Sequence, residues 1–156
     1  MLLKIDGWQT NIIFSACHMM PKYEKCGRLH GHSYAVHAKI YGEQNENGII
    51  LDFSLIKNAL RKIADELDHK VLLPKNSKEI DIKINENIEV RNLEKFYVFP
   101  KEDVTLLPIK NASAENLAIY ILETLIKDVE FSDNIKAIEI GVDEGRGQGA
   151  WVKKEL

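Results

Sequence analysis

The stretch Cys26-Gly27-Arg28-Leu29-His30-Gly31-His32 places one thiol and two imidazoles within seven residues. His30 and His32 are two apart, so on an extended strand their side chains share a face. Two imidazoles need at least one more ligand to hold a metal. The chain offers His18, at the end of Ile12-Ile13-Phe14-Ser15-Ala16-Cys17-His18. There Ile12, Phe14, Ala16 and His18 alternate with Ile13, Ser15 and Cys17, the period of a half-buried strand. Downstream, His32, Tyr34, Val36, Ala38 and Ile40 alternate in the same way over 32–42, with His37 on the opposite face. An antiparallel pairing of 8–18 with 32–42 brings three imidazoles to one end of a sheet, with Cys26 on the loop above them. His37 falls outside this set, and Cys17 faces away from it.

Working outward, strand character reaches back to residue 2, with Gly7 marking a bulge or the end of a shorter first strand. Pro21, Gly27 and several charges make 19–29 a loop. Asp52 reads as an N-cap, and Ile56, Ala59, Leu60, Ile63 and Leu67 predict an amphipathic helix over 53–67. The helix exits at Leu67-Asp68-His69-Lys70, where spacing alone describes only a polar end. Residues 74–110, bracketed by Pro74, Pro100 and Pro108, hold β-like pieces at 80–84, 88–90 and 96–99. They read as an inserted hairpin or two, because 37 residues are too few for an independent core. Ser113 caps a second helix over 114–129, with Glu115 in its first turn and a broad apolar face from Leu117 to Ile126. A terminal hairpin follows, with Ile138, Ile140, Val142 and Glu144 on one face and a turn at 145–149. That Gly-rich turn precedes a strand and not a helix, so it is not a phosphate loop. Glu144 continues a buried face and needs a partner. The candidates are a salt bridge to a neighbouring strand or a cationic or amidine-like group on a ligand.

A chain of 156 residues fits one domain spanning 1–156. A net charge of -3 without any basic block argues against nucleic acid as a partner. No apolar run is long enough to span a bilayer, and the N-terminus lacks a signal-peptide pattern, so the expected compartment is the cytoplasm. There the two cysteines, Cys17 and Cys26, are expected as free or catalytic thiols. Three neutral imidazoles leave a fourth position open, the arrangement of catalytic zinc. Cys26 as a fourth ligand would instead close a structural site. Lys25 and Arg28 beside Cys26 favour its thiolate, which suits a general base or nucleophile.

With these residues in hand, the chain resembles the 6-pyruvoyltetrahydropterin synthase / 6-carboxytetrahydropterin synthase family. The resemblance rests on Phe14-Ser15-Ala16-Cys17-His18, Cys26-Gly27-Arg28-Leu29-His30-Gly31-His32-Ser33, Asp52-Phe53, Leu67-Asp68-His69, Ser113-Ala114-Glu115-Asn116 and Val142-Asp143-Glu144. These come in the family's order and span nearly the whole chain outside 74–110. The Cys-x-x-x-His-Gly-His spacing is similar to the 6-carboxytetrahydropterin synthase branch of 7-deazaguanine (queuosine and archaeosine) biosynthesis. The animal-type pyruvoyl enzymes carry a longer gap.

The resemblance implies an α+β tunnelling fold: ββααββ, a four-stranded antiparallel sheet with two helices on one face. It implies trimers around a β-barrel that stack into a homohexamer, with active sites between subunits. It implies Zn2+ on His18, His30 and His32, Cys26 as proton-accepting base, and Asp68 and His69 as a proton relay. Glu144 would grip the pterin's 2-amino and N3 positions and join the relay as a fourth catalytic residue, with Ser113 also in the substrate site. The implied substrate is 7,8-dihydroneopterin triphosphate, converted by a lyase to 6-carboxytetrahydropterin with loss of triphosphate and acetaldehyde. The alternatives are a pyruvoyl-forming or side-chain-cleaving homologue on the same fold, and a non-catalytic protein with structural zinc. Three features depart from the family pattern: Cys17 before the first histidine, Ala114 where relatives often carry Thr or Ser, and the length of the 74–110 insertion.

Overall fold

The two alternating segments pair in the computed structural model, which describes residues 1–156. They form β2 (Ile13–His18) and β3 (His30–Gly42), antiparallel, with Ala16 opposite His32 and His18 opposite His30. β9 (Ile135–Glu144) pairs with the other side of β3 and sets Tyr34 opposite Glu144, and β10 (Gly149–Glu155) folds back on β9. The order β10-β9-β3-β2, with α2 (Phe53–Leu67) and α3 (Ala114–Asp128) between the strand pairs in sequence, is the expected ββααββ tunnelling fold.

The inward residues of the four strands pack against both helices in one core. Phe14, Tyr34, Val36, Ala38, Ile40, Ile138, Ile140 and Val142 meet Ile56, Leu60, Ile63 and Leu67 from α2 and Leu117, Ile121 and Leu125 from α3. Both helices start where their caps dictate. The Asp52 carboxylate accepts the Ser54 N–H at 2.7 Å, and the Ser113 hydroxyl accepts the Asn116 N–H at 3.4 Å.

The first segment is not one strand. β1 (Leu2–Ile5) and β2 lie end to end along the same edge of β3, opposite Ala38–Tyr41 and His30–Ala35 respectively. Between them sits a single helical turn, α1 (Gly7–Thr10), capped by Asp6 and closed by Asn11 in the left-handed conformation. Gly7 permits the step, because a Cβ there would lie 2.3 Å from the Val36 carbonyl oxygen.

The insertion is also richer than two hairpins. β5 (Ile80–Ile84), β6 (Ile88–Asn92) and β7 (Lys95–Phe99) form a separate antiparallel sheet. Flanking them, β4 (Lys70–Pro74) pairs parallel with β2, and β8 (Val104–Leu107) pairs parallel with β4. Together with β1, these widen the main sheet to seven strands. Val71-Leu72-Leu73 is a continuous apolar run with no alternation, so period alone does not mark it as a strand. A second, small core of Met19, Leu73, Ile80, Ile88 and Val90 joins the insertion to the loop after β2.

Leu60 is wholly buried between sheet and helices. Leu60→Ala is expected to destabilise the chain by about 2–5 kcal/mol through lost transfer energy and the cavity left behind. Urea titration should show a lower midpoint at unchanged slope; an unchanged midpoint would mean the site collapses freely.

Candidate metal centre and active-site cleft

The β2–β3 register brings one nitrogen each of His18, His30 and His32 within 4.8 Å of one another. The surrounding hydrogen bonds determine which nitrogens these are. The Nδ1–H of His18 donates to the Ala112 carbonyl at 2.7 Å, and that of His30 to the Arg28 carbonyl at 2.7 Å. A carbonyl only accepts, so in both neutral rings the proton sits on Nδ1 and Nε2 presents a lone pair. Those two Nε2 atoms stand 3.1 Å apart with no proton to share. The His32 Nε2 is buried and has no hydrogen-bond partner. Three converging imidazole nitrogens, two of them with the tautomer fixed by a backbone carbonyl, fit a divalent transition metal. Burial pushes the His18 imidazole below its ordinary pKa, which the bond to Ala112 and the Glu144 charge oppose, and the other two histidines add to the lowering. The neutral, metal-binding form is therefore the favoured one.

The histidines form one wall of a cleft of ≈ 390 Å³, lined also by Cys26, Ser113, Glu115, Glu144 and Gln148. Cys26 is exposed on the 19–29 loop, as expected, and is a free thiol. Glu144 is partly buried beside the metal ligands, with Oε1 3.4 Å from His18 Nε2 and 3.8 Å from His32 Nε2. The Tyr34 hydroxyl donates to the same oxygen at 3.3 Å. Burial first, then the neighbouring Glu144 charge, pushes the Tyr34 hydroxyl far up, so it keeps its proton for this bond. Glu144 thus takes its hydrogen-bond donor, Tyr34, from within the sheet and lines the cleft. Ser113 stands on the rim as the α3 cap. Two contributors had no signal in side-chain pattern. The Ala112 carbonyl acts through the backbone, and Gln148 lies in the hairpin turn with its amide donating to the Glu144 carbonyl at 3.1 Å. His37 lies on the other face, as alternation requires, with Nε2 3.1 Å from Asp143 Oδ2.

Asp68 and His69 do not line this cleft. They leave α2 at the edge of β2 away from β3. The Asp68 carboxylate accepts the Ser15 N–H at 2.7 Å, and the His69 N–H donates to the Ser15 carbonyl at 2.7 Å. The His69 Nδ1–H donates to Asp68 Oδ2 at 2.6 Å. His69 holds φ +56, unusual for a residue with a side chain, and its imidazole is largely exposed. It lines a concavity with Ser15, Cys17 and Ser33, which alternate away from the three-histidine cluster, and also with Ala16 and His32. Partial burial pushes the Asp68 carboxyl up, but the bonds from Ser15 and His69 outweigh it and hold it below its ordinary 3.8.

Comparison with known proteins follows this geometry. A family model described as 6-pyruvoyl tetrahydropterin synthase matches residues 9–155. A Methanocaldococcus jannaschii protein, provisionally named 6-carboxy-5,6,7,8-tetrahydropterin synthase, is 40% identical over all of this chain and 98% of its own length. A Rickettsia typhi protein named 6-carboxy-5,6,7,8-tetrahydropterin synthase is 30% identical, over 79% of this chain and 82% of its own. The solved 6-pyruvoyl tetrahydropterin synthase of Plasmodium falciparum superposes on the whole chain with a TM-score of 0.91 at 31% identity, covering 98% of that structure.

The wild-type chain and Cys26→Ala are each expected to bind one equivalent of Co2+ per chain in a spectroscopic titration. His30→Ala should lose affinity by more than the roughly 10–100-fold that removing a supporting hydrogen bond costs. Equal binding by His30→Ala would dismantle the triad. The depressed Asp68 pKa means its contribution to stability is full above its ordinary value and is lost as pH falls through the lowered one. Asp68→Asn should therefore flatten the decline in stability below about pH 4, read from urea unfolding between pH 7 and pH 3. An unchanged acid slope would show that the carboxylate charge is not what the Ser15 and His69 bonds stabilise.

Proposed function

The chain belongs to the 6-pyruvoyl tetrahydropterin synthase family and is a lyase-type enzyme of pterin chemistry, and from that premise we propose that it is a zinc-dependent 6-carboxy-5,6,7,8-tetrahydropterin synthase. The proposed reaction takes 7,8-dihydroneopterin triphosphate and water to 6-carboxytetrahydropterin, triphosphate and acetaldehyde. One observation carries the reading: His18, His30, His32, Cys26 and Glu144 share a single cleft although they come from distant parts of the chain. The names of the bacterial and archaeal relatives and the short Cys-to-His spacing support the carboxy product over the pyruvoyl one.

His18, His30 and His32 hold the metal, whose preferred identity for three imidazoles with an open position is Zn2+. When bound, it supplies Lewis-acid polarisation of the substrate's side-chain hydroxyls and so acidifies the adjacent carbon. Glu144 anchors the pterin by accepting two hydrogen bonds from the 2-amino and N3 edge, charge-assisted and in one plane. Tyr34 holds that carboxylate in place from behind. Ser113 contributes at the same end of the cleft. Cys26 accepts the proton from the acidified carbon, a task suited to an exposed thiol on the cleft wall.

Asp68 and His69 are read as a proton relay serving the site of a neighbouring subunit in a homohexamer, a dimer of trimers. That neither lines its own chain's cleft supports this reading, and the strained His69 backbone is the kind of cost found at functional positions. We read 1–156 as one catalytic domain, acting on a small molecule with no nucleic-acid or membrane partner. No helix is long and apolar enough to cross a membrane, and both cysteines are free. We read the chain as a cytoplasmic enzyme of 7-deazaguanine biosynthesis, the latter supported by the names of its 6-carboxytetrahydropterin synthase relatives.

The test is product identification by mass spectrometry after incubating zinc-loaded protein with 7,8-dihydroneopterin triphosphate. A carboxylated tetrahydropterin together with acetaldehyde is expected. A pyruvoyl or hydroxymethyl pterin would transfer the chain to another reaction of the same fold. Cys26→Ala should keep its metal and lose roughly 10²–10⁴-fold in kcat. Loss of metal in that variant would instead mark Cys26 as a structural ligand. Glu144→Gln should weaken pterin binding roughly 10–100-fold, the worth of hydrogen bonds to a charged group.

A further inference from the structure

We infer that Asn92, on the inserted sheet, is the positioning residue that holds Cys26 at the cleft. This rests on the reading of Cys26 as the base. Asn92 is 1% exposed and is one of three buried polar or charged side chains, the others being His18 and His37. Its amide donates to the Gly27 carbonyl at 3.0 Å, across 65 residues of sequence, and its Oδ1 is buried with no partner. A half-satisfied buried amide is costly, and a residue chosen only to fill the space would be apolar. What the amide gains is a bond to the carbonyl immediately after Cys26.

The next carbonyl in the chain, that of Arg28, accepts from the metal ligand His30. Two consecutive carbonyls are thus gripped by different parts of the molecule, one by the insertion and one by the metal centre. Within the loop, the Met20 N–H donates to the Cys26 carbonyl at 2.7 Å and the Gly27 N–H to the Tyr23 carbonyl at 2.8 Å. The turn is tight enough that a Cβ on Gly27 would lie 2.3 Å from the Tyr23 carbonyl oxygen. Further contacts join the loop to the insertion. Met19 is buried in the insertion's small core, and Lys22 pairs with Glu79.

The insertion presents Asn92 deliberately. Asn92 and Lys95 face each other across the β6–β7 turn, and the Lys95 ammonium also reaches the Gly27 carbonyl, at 3.4 Å. Leu93 at the tip holds φ +55 and is exposed, so the turn bears a backbone cost to bring these two donors to one acceptor. The Cys26 side chain itself is exposed and has no packing to fix it. Its position therefore derives from the backbone on either side, and Asn92 holds one of those points.

The experiment measures kcat, KM, bound metal and the rate of Cys26 alkylation by iodoacetamide at fixed pH, in a Cys17→Ser background. Asn92→Ala is expected to fold, to bind one metal equivalent, and to keep KM within about twofold while kcat falls about tenfold or more. Its alkylation rate should depart from that of the parent. Lys95→Ala, at an exposed position that the fold does not need, should move the alkylation rate in the same direction by less. A folded, metal-loaded Asn92→Ala with parental kcat and alkylation rate overturns the inference. If Asn92→Ala fails to fold, Lys95→Ala decides, and a parental alkylation rate in it overturns the inference. Full turnover by Cys26→Ala would sink the base assignment separately, whereas a changed alkylation rate in Asn92→Ala would still establish the hold on the loop.

Discussion

Everything at the cleft depends on one strand register, the pairing that sets His18 opposite His30 and Ala16 opposite His32. A slip of one residue would turn each of these side chains to the other face. The histidines themselves do not enforce the register. Ile12, Phe14 and Ala16 on one side and Tyr34, Val36, Ala38 and Ile40 on the other are all buried in the core. Each large apolar side chain among them contributes roughly 1.5–3 kcal/mol on leaving water. A slipped register would expose the whole set. The three-histidine group is therefore held together by the hydrophobic effect acting along the same strands.

Register brings the rings together, and two backbone carbonyls then decide their protonation. The Arg28 carbonyl belongs to the loop that leads into β3, but the Ala112 carbonyl belongs to the approach to α3. That approach is stiffened by a small network: Asn111 Oδ1 accepts from the Ser113 N–H at 3.3 Å and from the Asn116 amide at 2.7 Å. The cap of α3 thus has two consequences. It starts the helix that closes the core, and it places the acceptor that orients a metal ligand far away in sequence.

The parts that were legible in the sequence are those governed by local period and local chemistry. Alternation over 12–18 and 32–42 revealed both strands and the convergence of the three histidines. Helical spacing with Asp52 and Ser113 as caps located α2 and α3 within a residue of their ends. Glu144 was flagged because a carboxylate at the end of a buried face requires a partner, and it has one in the Tyr34 hydroxyl. What stayed hidden has no period. β4 and β8 are short strands that pair parallel with neighbours distant in sequence. The helical turn at 7–10 replaces an expected extended stretch because Asp6, Gly7 and Asn11 offer a cap, a close approach and a left-handed residue within one turn. Asn92 looked like any polar residue in a polar insertion, because nothing local shows that its amide meets Gly27.

The placement of Asp68 and His69 follows from the same alternation that builds the metal centre. β2 presents Phe14, Ala16 and His18 inward and Ser15 and Cys17 outward. The Asp68–His69 pair is fastened to Ser15 through two hydrogen bonds, and a third joins its two side chains. A strand cannot turn one residue to the opposite face without moving its neighbours. The concavity that His69 lines also reaches His32, so the pair and the histidines are neighbours that line different hollows of one chain. Alternation along β2 therefore sets the pair beside the cleft and not in it, and the two bonds to Ser15 keep it there.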